Sequence, residues 1–333
     1  MSELSSPQAP SRPSASEAAS SQTPSRGIML LGKLVGGTTR LQIVRASQAY
    51  LYLLPWLIGL TVFWVGPILA SFYFSFNDYD VLTSPRWVGL QNYRTAFFTD
   101  RLFWPSLWRT FQYSFVVVPF GLIGALFLAA LLNRGLRGTN IYRTMFFIPS
   151  LVPAVATAMV WTWLLHPTVG PVNTALGWFG IQGPGWLTRR EWALRSIIIM
   201  NLWAGLGGNT MLIFLAALQG VPQSLLDAAE IDGAGTWAKF RNVTLPMISP
   251  TILFTLVLGV IGALKVFTSA YVATAGGPSY ATWFLALHIY QQAFQYFRMG
   301  YGSALAWVFL VILLIFTYIQ MNSSKRWVYY AGE

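Results

Sequence analysis

Cysteine is absent from all 333 residues, which excludes disulfides, thiolate metal sites and a cysteine nucleophile. Histidine is nearly absent: only His166 and His288 occur. Neither has a second histidine or a carboxylate at a metal-ligand spacing, so both read as interfacial polar residues near the outer ends of apolar segments. Charge is scarce, with 9% of residues ionisable as Asp, Glu, Lys or Arg, against roughly a quarter in soluble domains. No GxxxxGK[ST] phosphate loop is present, so the chain is not itself an ATPase. No acidic residue falls inside an apolar segment, which argues against a carrier coupled to protons or sodium. No enzyme constellation emerges.

What fills the space is apolar. Hydrophobic residues make up 55% of the chain and aromatics 16%, with a mean hydropathy of +0.54. This is the composition of an all-α integral membrane protein with aromatic belts at the lipid boundaries. The net charge of +11 is dispersed over tails and loops, so it serves topology and attraction to membrane lipid, not nucleic-acid binding. Six segments of about the twenty apolar residues a span requires lie at 49–74, 108–132, 144–165, 194–218, 251–273 and 301–321. Pro55, Pro67 and Pro119 fall within them as tolerable kinks. The organisation is a tail over 1–45, a six-helix domain over 46–322 and a short tail over 323–333. The first 26 residues are rich in Ser, Pro and Ala with no apolar core, so they read as disordered and are no secretory signal. An even span count puts both termini on one side. Arg134, Arg137 and Arg143, clustered in one compact loop, make that side the cytoplasm.

The polar interruption at 219–250 is far longer than a connection between two spans requires. It reads as two short helices around a glycine hinge. Leu225, Leu226, Ala228, Ala229 and Ile231 supply an apolar side, with Asp227, Glu230 and Asp232 among them. Gly233 and Gly235 allow the turn, and Pro246 and Pro250 mark entry to the next span. Such a loop is built to dock.

Two places inside the spans carry polar groups. Asn201, Trp203, Gly205 and Asn209 cluster in the fourth span. There, amides can bond sugar hydroxyls, an aromatic ring can cover a sugar's apolar face, and glycines permit an unwound stretch beside a cavity. Helix–helix packing through small residues explains the same pattern, and both readings stand for different faces. Lys265 is the one charge in mid-helix in the fifth span, where an unpaired cation costs roughly 2.5–3.5 kcal/mol. It either lines a pathway, pairs with a partner's carboxylate or snorkels outward.

The run Asp227, Ala228, Ala229, Glu230, Ile231, Asp232, Gly233, Ala234, Gly235, followed by Phe240 and by Thr244 to Pro246, resembles the EAA loop of membrane subunits of bacterial ATP-binding-cassette importers. The family pattern opens with Glu; Asp227 keeps the charge on a side chain one methylene shorter. The segments 87–93 (WVGLQNY), 143–149 (RTMFFIP), 274–278 (TAGGP), 290–294 (YQQAF) and 300–304 (GYGSA) fall in the order of the sugar-permease branch. Within it they are similar to the maltose-type or glycerol-phosphate-type first permease. The resemblance implies a type I importer fold with a cytoplasmic coupling helix over Asp227–Ala234. It implies ATP and Mg on separate subunits, with no cofactor on this chain. The partners it implies are a second, non-identical permease, two copies of an ATPase subunit and an extracytoplasmic solute-binding protein. The setting it implies is the cytoplasmic membrane of a bacterium or archaeon. Two other classes remain: a stand-alone secondary carrier or channel, which would need an internal ion site and usually repeated halves, and a membrane scaffold without transport of its own.

Overall fold

The computed structural model describes residues 40–135 and 138–330, with side chains from residue 48 onward. The N-terminal tail up to residue 39, the pair 136–137 and the last three residues lie outside the described residues, and with them the expectation of a disordered N-terminal tail. The chain divides into two compact units at Leu69 and Ala70. The first holds helix α1, Arg40–Leu60, with Pro55 inside it. A π-turn over Thr61–Val65 follows, and α2, Gly66–Ser75, leads into the second unit. The wide turn lies directly before Pro67, a residue with no N–H for an ordinary helical bond.

In the second unit a short antiparallel pair, β1 (Asn77–Asp78) and β2 (Arg86–Trp87), closes the first loop. Helix α3, Phe103–Leu132, is the central post. Helices α4 (Thr139–Leu151) and α5 (Ala154–Leu164) correspond to the third expected span, but they meet at 96°. Pro153 caps the second of them and holds Val152 extended, with ψ 131°, as a residue before proline prefers. The fourth expected span is also broken: α6 (Arg190–Leu206) and α7 (Asn209–Gln219) are bent by 42° at Gly207 and Gly208. Next come α8 (Gln223–Ile231) and α9 (Thr236–Lys239). Helix α10 (Ser249–Leu264) gives way at 265–267 to α11 (Thr268–Thr274). Helix α12 (Leu285–Tyr290) precedes α13 (Met299–Ser324), the final span. Among the described residues, four helical stretches are thus long and apolar enough to cross a membrane, and up to six when each bent pair counts as one span.

Helix α3 packs against α6, α7 and α10. One apolar cluster joins Leu132 at its end with Met211, Leu218 and Ile248. Another joins Phe103 and Leu107 at its start with Leu285, Tyr301 and Leu305. The loop at 219–250 and the start of α13 therefore sit at opposite ends of the bundle. At Gly207 the backbones of α4 and α6 touch: a β-carbon there would overlap the Phe146 carbonyl oxygen. The backbone cannot swing aside as a side chain can. Gly207→Val is therefore expected to lower stability by about 1–3 kcal/mol. Gly205→Ala, with open space around it, leaves the midpoint nearly unchanged; thermal unfolding of the purified variants in detergent checks both.

Candidate functional site

Three helix breaks converge on one cavity of about 390 Å³. The α4–α5 bend contributes Ser150, Val152 and Ala154, and one turn into α5 comes Thr157. Helix α6 contributes Asn201 and Gly205, just before its own break. The interruption after α10 contributes Val266, Phe267, Thr268 and Ser269, and α3 closes the wall with Tyr113. Broken helices create such sites because backbone freed from the helical ladder is tolerated only where it faces protein or a wetted cavity. Asn201 is held in place by its Nδ2, which donates to the Ile197 carbonyl at 2.8 Å and to Ser269 Oγ at 3.1 Å. Its carbonyl oxygen is left as an acceptor. The lining carries hydroxyls, an amide and apolar groups, with no charged side chain among the described residues.

Of the residues singled out from sequence, Asn201 and Gly205 line this cavity. Trp203 does not: half-exposed, it meets Trp161 edge-on at 5.7 Å. Asn209 opens α7 and is exposed, away from the lining. Lys265 sits in the break itself and not in mid-helix. It follows the last residue of α10 and is exposed, and it is not part of the lining. Both readings of the glycines hold for different positions, since Gly205 faces space while Gly207 allows close packing. Tyr113, Ser150, Thr157, Thr268 and Ser269 were not anticipated. Their one signal in the sequence is that they are hydroxyls inside apolar segments, several of them beside helix breakers.

At one end of the bundle, loop 219–250 forms the expected pair of helices. Helix α8 has no buried residue. Ile231 is 87% and Trp237 71% exposed, while Leu226, Ala229 and Ala234 are half-buried. The helix ends as its sequence requires. Gly233 adopts φ +79°, its N–H donates to the Glu230 carbonyl at 3.0 Å, and the Ala234 N–H donates to the Ala229 carbonyl at 2.9 Å. This is a Schellman ending with glycine in the left-handed position. Asp227 accepts from Gln223 Nε2 at 3.0 Å, Glu230 pairs with Lys239 at 2.8 Å, and Asp232 follows the last residue of α8 and is exposed.

The opposite end holds a polar group the sequence did not reveal. His288 is fully buried, not interfacial. Its Nε2 meets Asp100 Oδ2 at 2.7 Å, and Tyr301 Oη donates to the same oxygen at 2.6 Å. Trp283 Nε1 donates to His288 Nδ1 at 3.1 Å, so the histidine proton resides on Nε2, facing the carboxylate. The Leu102 N–H completes the set on Oδ1 at 2.8 Å. Burial works to raise the Asp100 pKa, but the hydrogen bonds from His288, Tyr301 and the Leu102 N–H outweigh it and hold the carboxyl at about 2. Nearby, Thr274 and Thr282 share a hydrogen bond of 2.6 Å, bracing the wall of a second cavity, of about 620 Å³, which Thr162 and His166 also line.

Comparison with known proteins fits this architecture. Residues 118–329 match the family described as binding-protein-dependent transport system inner membrane component. The chain is 41% identical over 288 residues to the probable ABC transporter permease protein YesP of Bacillus subtilis, covering 85% of this chain and 92% of that one. It is 34% identical to the trehalose/maltose transport system permease protein MalF of Thermococcus litoralis, covering 86% and 97%. Among solved structures, a bacterial ABC transporter involved in import of the acidic polysaccharide alginate superposes with a TM-score of 0.77 at 25% identity, over 86% of this chain and 99% of that one. Broken helices around a central cavity, an exposed helical loop and these likenesses agree: the chain belongs to the family of binding-protein-dependent transport system inner membrane components, the permease subunits of ABC importers.

Proposed function

We propose that this chain is one of two non-identical permeases of an importer for a sugar, oligosaccharide or sugar derivative. The importer is driven by two copies of an ATPase subunit that hold ATP and Mg, and it is fed by an extracytoplasmic solute-binding protein. The observation that carries this reading is the cavity at the three helix breaks, whose hydroxyls and amide suit a polyhydroxylated solute. Relatives described as trehalose/maltose and sn-glycerol-3-phosphate permeases, and an alginate transporter solved with its oligosaccharide-bound periplasmic protein, support the substrate class and the partner. Both termini and loop 219–250 face the cytoplasm, where the second half of α8 and the turn after it, Asp227–Ala234, couple to the ATPase. When ATP draws the two ATPase subunits together, the docked helices move with them and tilt the bundles, opening the cavity towards the binding protein. Hydrolysis resets it. The lining of this cavity carries no charged side chain among the described residues, which favours neutral solutes over sugar phosphates.

A mild-detergent pull-down of the tagged chain from its native membrane tests the assembly. Stoichiometric recovery of a second permease and an ATPase subunit is expected; a lone, monodisperse chain still active in uptake would restore the stand-alone carrier. At the cavity, Asn201→Ala removes an amide whose hydrogen bonds are worth about 0.5–1.5 kcal/mol each. Uptake of the sugar retained by the co-purified binding protein is expected to fall by roughly 2–10-fold, with the complex still assembled.

A further inference from the structure

We infer that Lys239 and Glu230 form a latch across the joint of loop 219–250, fixing the angle at which force on α8 passes into the membrane span. This rests on the reading of that loop as the ATPase-coupling element. The joint turns on two glycines: Gly233 and Gly235 both have open space around them, so no crowding at these two positions restricts the angle between α8 and α9. On its far side the chain is stiff. From Thr236 the backbone stays helical through Lys239, the π-turn Phe240–Thr244 and Leu245–Met247, and after one turn residue at Ile248 it enters α10. Helix α9 therefore moves with the span, and α8 moves with whatever docks on it.

Lys239 Nζ reaches Glu230 Oε2 at 2.8 Å, joining the last residue of α9 to the last turn of α8. The lysine side chain is 24% exposed and the glutamate 72%. A pair that open to water is weak, but a subunit covering α8 would exclude water and strengthen the attraction. The latch is thus loose in the free chain and tight in the docked one. Glu230 and Lys239 act as positioning residues. The apolar Ile231 and Trp237, the most exposed large groups of the loop, remain for the partner's surface.

The absence of cysteine allows a direct test on the full complex with its binding protein in proteoliposomes. A single reporter, Thr162→Cys, is placed on the wall of the 620 Å³ cavity. Its modification by a membrane-impermeant methanethiosulfonate is followed as a mass shift on this chain, before and after trapping with ATP and vanadate. With the native loop, trapping is expected to change the rate by about tenfold, within the usual range of coupling between sites. Lys239→Glu should reduce that change to less than about twofold while the ATPase subunits stay bound, and Glu230→Lys should reduce it likewise. Lys239→Arg, and the double exchange Glu230→Lys with Lys239→Glu, should restore it. A full response in the single reversals, or no recovery in the double exchange, overturns the latch. No response with the native loop overturns the importer reading, and the latch with it.

Discussion

Asp100→Ala is expected to lower the unfolding free energy of the purified protein by about 3–5 kcal/mol, the cost of removing one partner from a buried charged network. The carboxylate gathers groups 188 and 201 residues further along the chain, His288 and Tyr301, and fixes the start of α3 to α12 and α13. Its removal leaves the His288 Nε2–H and the Tyr301 hydroxyl without their acceptor in a site where His288 is fully buried. Asp100→Asn, which keeps one carbonyl acceptor, should lose only about 1–3 kcal/mol. The pH dependence follows from the carboxyl being held at about 2 instead of 3.8. A lowered folded-state value means the stabilisation is complete above the unfolded-state value near 3.9 and disappears as pH falls through about 2. It is worth on the order of 2 kcal/mol. Between pH 5 and 2 the native protein should therefore lose stability more steeply than Asp100→Asn. Parallel slopes from denaturant titrations in detergent would remove Asp100 from this role.

Gly233→Pro is expected to leave the protein in the membrane and the ATPase active while uptake per ATP hydrolysed falls by roughly tenfold or more, the equivalent of about 1.4 kcal/mol in coupling. Gly233 holds φ +79°, a value that proline, locked near −65°, cannot adopt. Proline also lacks the N–H that bonds the Glu230 carbonyl. Nothing lies within 4 Å of a β-carbon at this position, so the effect is one of backbone and not of crowding. That distinction predicts a graded series. Gly233→Asn, from a residue type that visits the left-handed region, should be mild; Gly233→Asp intermediate; Gly233→Val severe, with strain of roughly 1–2 kcal/mol or more. Uptake and hydrolysis measured together in proteoliposomes check the order. Normal coupling in the proline variant would show that α8 does not transmit force.

The membrane class, the segments that form the spans and the helix–glycine–helix form of loop 219–250 were legible in the residues themselves. Each is governed by short-range physics: about twenty apolar residues per crossing, an amphipathic period, and a left-handed turn that glycine adopts without strain. The breaks were only half legible. The glycines of the fourth span were read as permitting an unwound stretch, while Pro149 and Pro153 in the third were not singled out, and the resulting angles of 42° and 96° depend on which neighbours α6 and α4 meet.

The central cavity was legible only at Asn201 and Gly205. Trp203 and Asn209 lie within one or two turns of those residues, yet helical phase and the bend turn them elsewhere, and the break in the fifth span places Lys265 outside the lining. His288 read as an interfacial residue because its partners, Asp100, Tyr301 and Trp283, have no common spacing in the chain. Local pattern therefore determined that this protein crosses a membrane and carries an exposed pair of short helices between two spans. Which polar groups share a cavity, and which are locked against each other, was decided by the packing of distant helices, because burial and hydrogen-bond partners are properties of neighbours in space.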